Sequence, residues 1–184
     1  MPEFMLLAMC GPARVGKTTA ATILGCELGF RLVGFADPIR VTVLDLVPAW
    51  SDWNLDEGKD MEDSWLQRSP RDLMRIVGDH ARGLQWDVYI RHTERRIAML
   101  RQEGAPGAVL YDLRTELEAE WVRQAGGTLI HLQRSGVGFR ADHETEMGIV
   151  AKPGDLAIRN PGTVDGLRGE LLGTLAAVRS RVAA

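Results

Sequence analysis

The chain has 184 residues, 45% of them apolar, enough for a core of its own. Its 22 basic and 25 acidic side chains leave a formal charge of −3, so no global positive field marks it as a nucleic-acid binder. Two cysteines, Cys10 and Cys26, exclude a disulfide framework and fit a reducing cytosol, and no apolar run approaches the roughly 20 residues of a membrane span. Within the basic set, 19 arginines stand against three lysines, Lys17, Lys59 and Lys152. Arginine forks suit bidentate phosphate binding, and codon bias gives the same composition.

Residues 1–4, MPEF, precede a second methionine and read as a cloning leftover, so a single domain is expected over 5–184. Met5 to Met9 reads as a short buried strand. It runs into Gly11–Thr18, GPARVGKT, which matches G-x-x-x-x-G-K-[ST], and a helix follows from Thr18 to Leu28, stopped by Gly29. Strand, glycine loop and helix is the setting in which this motif cradles the phosphates of a nucleoside triphosphate. Gly11 and Gly16 admit backbone angles that turn successive N–H groups around a phosphate. The helix behind them points its positive end at the same anion. Arg14, Val15, Gly16, Lys17, Thr18 and Thr19 then surround the donor, with Lys17 on the β- and γ-phosphates and the Thr18 hydroxyl on Mg²⁺.

A second strand is expected over Arg31 to Phe35, and Pro38 opens a helix that continues from Ile39 to Val47. From Asp45 to Asp63 seven carboxylates stand against Lys59, with Trp50, Trp53 and Trp65 interspersed. This stretch reads as a partly irregular excursion, either a cover for a substrate or a solvated loop. The tryptophans read as core. Ser69-Pro70-Arg71-Asp72 starts the next helix, whose stripe is Leu73, Ile76, Val77 and Ala81. Trp86 to Glu103 is a further helix with Val88, Tyr89, Ile97 and Leu100 as candidate core. Gly107 to Asp112 reads as a central strand ending in an acid. Thr115 with Glu118 forms the capping box of a helix that Gly126-Gly127 ends. Thr128 to Leu132 and Asp155 to Arg159 are the last strands, Asn160-Pro161-Gly162 a turn, and Val164 to Val182 the closing helix. Strands alternating with helices argue an α/β fold, a five-stranded parallel sheet between helical layers. Residues of about 134–150 show little periodicity and read as a lid.

Ligands of an open α/β sheet bind beyond the carboxyl ends of its strands. Asp37, Asp112, Arg114 and Arg134 follow strand ends and are expected at that edge. Asp112 is placed to bind Mg²⁺. Arg68, Arg71 and Arg75 gather around a helix start and make an anion site; a solvated basic face is the alternative. Arg134 and Arg140 flank the lid and are candidates for stabilising charge on a moving phosphoryl group. His143 lies between acids, and His80, His92 and His131 have no metal-ligand spacing.

GPARVGKTTAA, GFADPIR, SPRDLMRIVGDHAR, YDLRTELEAEWVRQAGGTLIHLQR, DHETE and IRNPGT come in an order that resembles the bacteriophage-type deoxynucleoside monophosphate kinases of the P-loop kinase superfamily. The resemblance spans roughly residues 5–175 and departs at Thr18, where the family often has an acid, and at Arg14 and Val15, where it often has smaller residues. It implies ATP or another nucleoside triphosphate as donor, Mg²⁺, and a deoxynucleotide acceptor. It places Asp112 and Arg114 at the active site, Arg68 and Arg71 near the acceptor, and Asn160, Pro161 and Gly162 beside the donor base. It implies the cytoplasm of a phage-infected bacterium; a homodimer is a further expectation. A related phage group phosphorylates a hydroxymethyl group on a pyrimidine within DNA and shares these motifs. In that reading Asp37 is the general base. A nucleotide-dependent switch with slow hydrolysis is the third reading, and no guanine-reading motif supports it.

Overall fold

Five short segments pair side by side as one parallel sheet: β1 (Met5–Cys10), β2 (Arg31–Val33), β3 (Gly107–Leu110), β4 (Thr128–Arg134) and β5 (Leu156–Asn160), in the spatial order β2-β3-β1-β4-β5. The computed structural model describes residues 4–138 and 148–182. Of the expected lid, residues 139–147, with Arg140 and His143, lie outside the described residues. The sheet belongs to one compact unit, made from the chain up to Gly34 and from Arg95 onward; Phe35–Glu94 form a second.

In the first unit Leu7, Met9, Val109, Ile130, Leu132 and Ile158 present one face of the sheet to α1 (Lys17–Leu28) and α7 (Val164–Val182). Ala20, Ala21, Ile23 and Leu24 of α1 and Leu167, Leu171 and Leu175 of α7 fill that layer. Alternation along each strand sends Leu6, Ala8 and Leu129 to the other face, where α6 (Glu116–Gln124) contacts β1 and β4 with Ala119 and Val122 buried. Coverage on both faces explains why β3 is buried at every residue. Gly29, at φ 68°, ends α1 in the left-handed region.

The second unit holds α2 (Asp37–Leu46), α3 (Asp52–Leu55), α4 (Pro70–Leu84) and the start of α5 (Val88–Gln102). Ile39, Val43, Val47, Trp50, Leu55 and Tyr89 form its core, with Leu73, Met74, Val77 and Ala81 packed against it. Ser69 caps α4, its hydroxyl accepting from Asp72 N at 3.2 Å. Ile76 is 48% exposed, contrary to the stripe expected from sequence. At about 100° per residue, positions 73, 74, 77 and 81 share one arc and 76 falls outside it. In α5, Tyr89, Ile97 and Leu100 are buried as expected.

Several boundaries move. β2 ends at Val33 and β3 at Leu110, so Asp112 stands two residues beyond its strand; β4 continues to Arg134; β5 begins at Leu156 and includes Asn160. Asp37 is the first residue of α2 rather than part of a loop. The acidic excursion contains α3 and a compact turn after it. Of its tryptophans only Trp50 is core; Trp53 and Trp65 are exposed, as is Trp86. Among the described residues no helix is long and apolar enough to cross a membrane.

Candidate active site

The phosphate loop joins the carboxyl end of β1 to the start of α1. Gly11 has φ 134° and Gly16 φ 106°. A Cβ on Gly11 would stand 2.7 Å from the Leu132 carbonyl oxygen, and one on Gly16 2.6 Å from Asn160 Nδ2, so only glycine fits either place. Arg14 also lies in the left-handed region, at φ 64°. Val15 is buried and anchors the loop from beneath, while Arg14 and Thr18 are exposed. Gly16 is the N-cap of α1 and offers no side chain to its first turn, so the first backbone N–H groups of the helix are uncapped by any side chain. Lys17 folds back across the loop, Nζ donating to Gly11 O at 2.7 Å and to Pro12 O at 2.9 Å.

Asn160 connects this loop to the end of β5. Its side chain is buried; Nδ2 donates to Val15 O at 2.8 Å and Oδ1 accepts from Gly162 N at 2.9 Å. The amide thus braces the turn that follows and ties it to the loop after β1. Arg134 pairs in register with Asn160, and its guanidinium nitrogens lie 3.6 and 3.9 Å from where a Cβ on Gly162 would be. Sequence reasoning placed Asn160 at the donor site but had no signal for its hold on Val15, which lies 145 residues away.

Asp112 and Arg114 sit between β3 and α6. Asp112 is half-buried and Arg114 exposed. One carboxylate oxygen of the buried Glu118 accepts from Arg114 N at 2.9 Å and Thr115 N at 3.0 Å, and Thr115 Oγ1 accepts from Glu118 N at 3.2 Å. The capping box legible in the sequence therefore also pins the backbone of Arg114. Among the described residues no cluster of three or more His, Cys, Asp or Glu side chains that could hold a metal ion occurs.

An ion-pair network on the α6 side escaped the sequence reading, because its members are far apart in the chain. Asp155 Oδ2 meets Arg123 at 2.7 Å, His131 Nε2 at 3.0 Å and Lys152 N at 2.9 Å. Arg123 also donates to Val150 O at 3.0 Å and lies 3.6 Å from Glu116. Burial pushes the Asp155 carboxyl up, but the Arg123, Lys152 and His131 hydrogen bonds outweigh it and bring it to about 2. The depressed value sets the sign of a pH effect. The contribution is complete above the ordinary carboxylate value of about 3.9 and is lost as pH falls through about 2. Asp155→Asn should cost about 2 kcal/mol near neutral pH, since the half-buried Arg123 loses its nearest carboxylate and keeps Glu116 and Glu120, at 3.6 and 3.9 Å. Melting curves between about pH 6 and pH 2 should show a shallower acid decline for the variant than for the parent protein; parallel declines would contradict this account.

In the second unit Arg71 pairs with Asp60, at 3.2 Å through Nη2, both side chains being more than half exposed. Arg75 lies 3.8 Å from Asp72. Arg68 is exposed at the edge of the turn before α4. The three arginines therefore share one short stretch, as expected, and Arg71 is engaged by an acid that the sequence reading did not connect to it.

The deoxynucleotide monophosphate kinase family model matches residues 54–171, more than half of the chain. A protein of Acanthamoeba polyphaga mimivirus named "Putative deoxynucleotide monophosphate kinase" is 27% identical over 183 residues, 91% of this chain and 94% of its own length. The deoxynucleotide monophosphate kinase of Escherichia phage RB69 is 38% identical over 63 residues, 34% of this chain and 26% of that protein. Among solved structures, a "putative kinase" from Chloroflexus aurantiacus superposes with a TM-score of 0.53 at 19% identity, covering 100% of this chain and 98% of the other; that likeness is one of fold. The five-stranded parallel sheet flanked by helices agrees with that likeness of fold. The family match supplies what the fold alone leaves open, and the chain belongs to the deoxynucleotide monophosphate kinase family of nucleotide kinases.

Proposed function

We propose that the protein transfers the γ-phosphoryl group of ATP, or of another nucleoside triphosphate, to the phosphate of a deoxynucleoside monophosphate. The observation that carries the donor half is the phosphate loop, with left-handed Gly11 and Gly16, a helix start uncapped by side chains and Lys17 across its mouth. Its backbone N–H groups would hold the donor phosphates and Lys17 would exchange its two carbonyl partners for phosphate oxygens. Thr18 and Asp112 would hold Mg²⁺, which when bound would neutralise charge on the β- and γ-oxygens. The acceptor oxygen is already anionic, so the residues have to position and stabilise rather than remove a proton. Arg114, its backbone held by Glu118, and Arg134 would stabilise charge on the moving group. Arg68, Arg71 and Arg75 would bind the acceptor phosphate, Arg71 releasing the exposed Asp60.

The test offers labelled ATP and Mg²⁺ with each deoxynucleoside monophosphate, and separately with plain and hydroxymethyluracil-containing DNA. Label in a deoxynucleoside diphosphate is the expected result; label in the modified DNA alone would move the acceptor to a hydroxyl. Asp37→Asn sharpens the distinction. A general base for a hydroxyl contributes about 10²–10⁴ in rate, whereas a phosphate acceptor has no such proton. A modest defect is expected. A collapse of kcat at unchanged KM would favour the hydroxyl acceptor.

A further inference from the structure

The turn from Asp63 to Arg68, in the second unit, is held by its own hydrogen bonds from two sides. From within, Asp63 Oδ1 accepts from Trp65 N and Leu66 N, each at 2.9 Å, and Oδ2 from the indole of the core residue Trp50 at 3.0 Å. Along the backbone, Gln67 N donates to Asp63 O at 2.7 Å and Asp63 N to Arg68 O at 3.0 Å. Gln67 adopts φ 52°, a left-handed angle uncommon away from glycine, to close it.

On this braced turn Trp65 stands 76% exposed. A large aromatic ring left in water gains from any flat apolar partner. The turn also fixes the backbone of Trp65, so a ligand would not have to order it. Its surroundings narrow the partner. Arg68 is exposed, and its charge, after the Ser69 hydroxyl and with the charge of Arg75, helps hold the Asp72 carboxyl below the usual carboxylate range. Arg71 follows, paired with an acid that is 67% exposed. An exposed aromatic residue and an exposed arginine on one short turn, closed by the Asp63–Arg68 bridge, match a molecule with a flat ring at one end and an anion at the other.

We propose that Trp65 is a stacking platform for the nucleobase of the acceptor, with Arg68 beside it for the phosphate. The inference rests on the reading of Arg68 and Arg71 as the acceptor's anion site. The nucleobase belongs either to a free nucleotide or to a nucleotide within single-stranded DNA, and the same contact serves both.

The test compares the full chain with Trp65→Ala and Trp65→Phe on three acceptors: deoxynucleoside monophosphates, deoxyribose 5-phosphate, and an oligonucleotide carrying the modified pyrimidine. Loss of one base-stacking contact should raise the KM for the deoxynucleoside monophosphates about 10- to 100-fold in Trp65→Ala, with recovery in Trp65→Phe. The KM for ATP should stay within about 2-fold, because stacking on the acceptor leaves the donor untouched. Deoxyribose 5-phosphate keeps the phosphate and lacks the base, so parent and variant should use it equally. A loss confined to the oligonucleotide also supports the platform and assigns the base to DNA. A KM unchanged in Trp65→Ala for the deoxynucleoside monophosphates and for the oligonucleotide alike overturns the proposal. An equal loss on deoxyribose 5-phosphate overturns it too, since the substitution then acts through the turn and not through a base. Should the parent protein label no acceptor at all, the reading of the acceptor site falls separately. Fluorescence titration with a deoxynucleotide then decides: quenching that disappears in Trp65→Phe sustains the platform, and equal quenching in both proteins overturns it.

Discussion

Lys17→Ala should slow phosphoryl transfer by about 10³-fold, the scale of losing a charge aimed at a transferring phosphoryl group, while the protein stays folded. The two parts of this expectation have different causes. Lys17 is half-buried, its Nζ donates to the Gly11 and Pro12 carbonyls of its own loop, and it is not a member of the core layer between α1 and the sheet. Removing two such hydrogen bonds costs about 1 kcal/mol each, a shift of a few degrees in the melting temperature of a domain this size. The charge should be worth far more to the reaction, since it would act on the transferring group itself. Single-turnover transfer from labelled donor, read beside a melting curve, checks both parts. Near-normal transfer at an unchanged melting temperature would remove Lys17 from the chemistry.

Gly16→Ala should be nearly as damaging, with donor kcat/KM reduced about 10²-fold or more, for a geometric reason. The residue has φ 106°, and its new methyl would stand 2.6 Å from Asn160 Nδ2. Asn160 has no room to retreat, being buried and bonded to both Val15 O and Gly162 N. The phosphate loop must therefore move, and with it the N–H groups that a donor phosphate would meet. Gly154→Ala is the control. Gly154 also has a positive φ, 98°, but nothing lies within 4 Å of its added Cβ, so that variant carries backbone strain alone. It should lose about 1–2 kcal/mol of stability and keep its kcat/KM. Equal kinetic losses in the two variants would mean that strain, and not the Asn160 contact, governs the loop.

Local chemistry determined much of this protein. A phosphate loop needs glycines, a lysine and a hydroxyl at set offsets, so Gly11 to Thr18 was legible within eight residues. Short apolar runs bounded by turns marked the five strands, and Ser69 and Thr115 marked helix starts because a cap and its partner lie within one helical turn. Tertiary structure decided what depends on distant partners. It set the strand order β2-β3-β1-β4-β5, which brings residues about a hundred positions apart into register. It closed Asn160 onto Val15 and gathered Asp155, Arg123 and His131, pairs whose members share no local pattern. It sorted the tryptophans, sending Trp50 into the core and leaving Trp65 in water, though both stand in the same acidic stretch. Hydrophobicity alone gives both the same preference; the Asp63 carboxylate, bonding the indole of one and the backbone of the other, separates them.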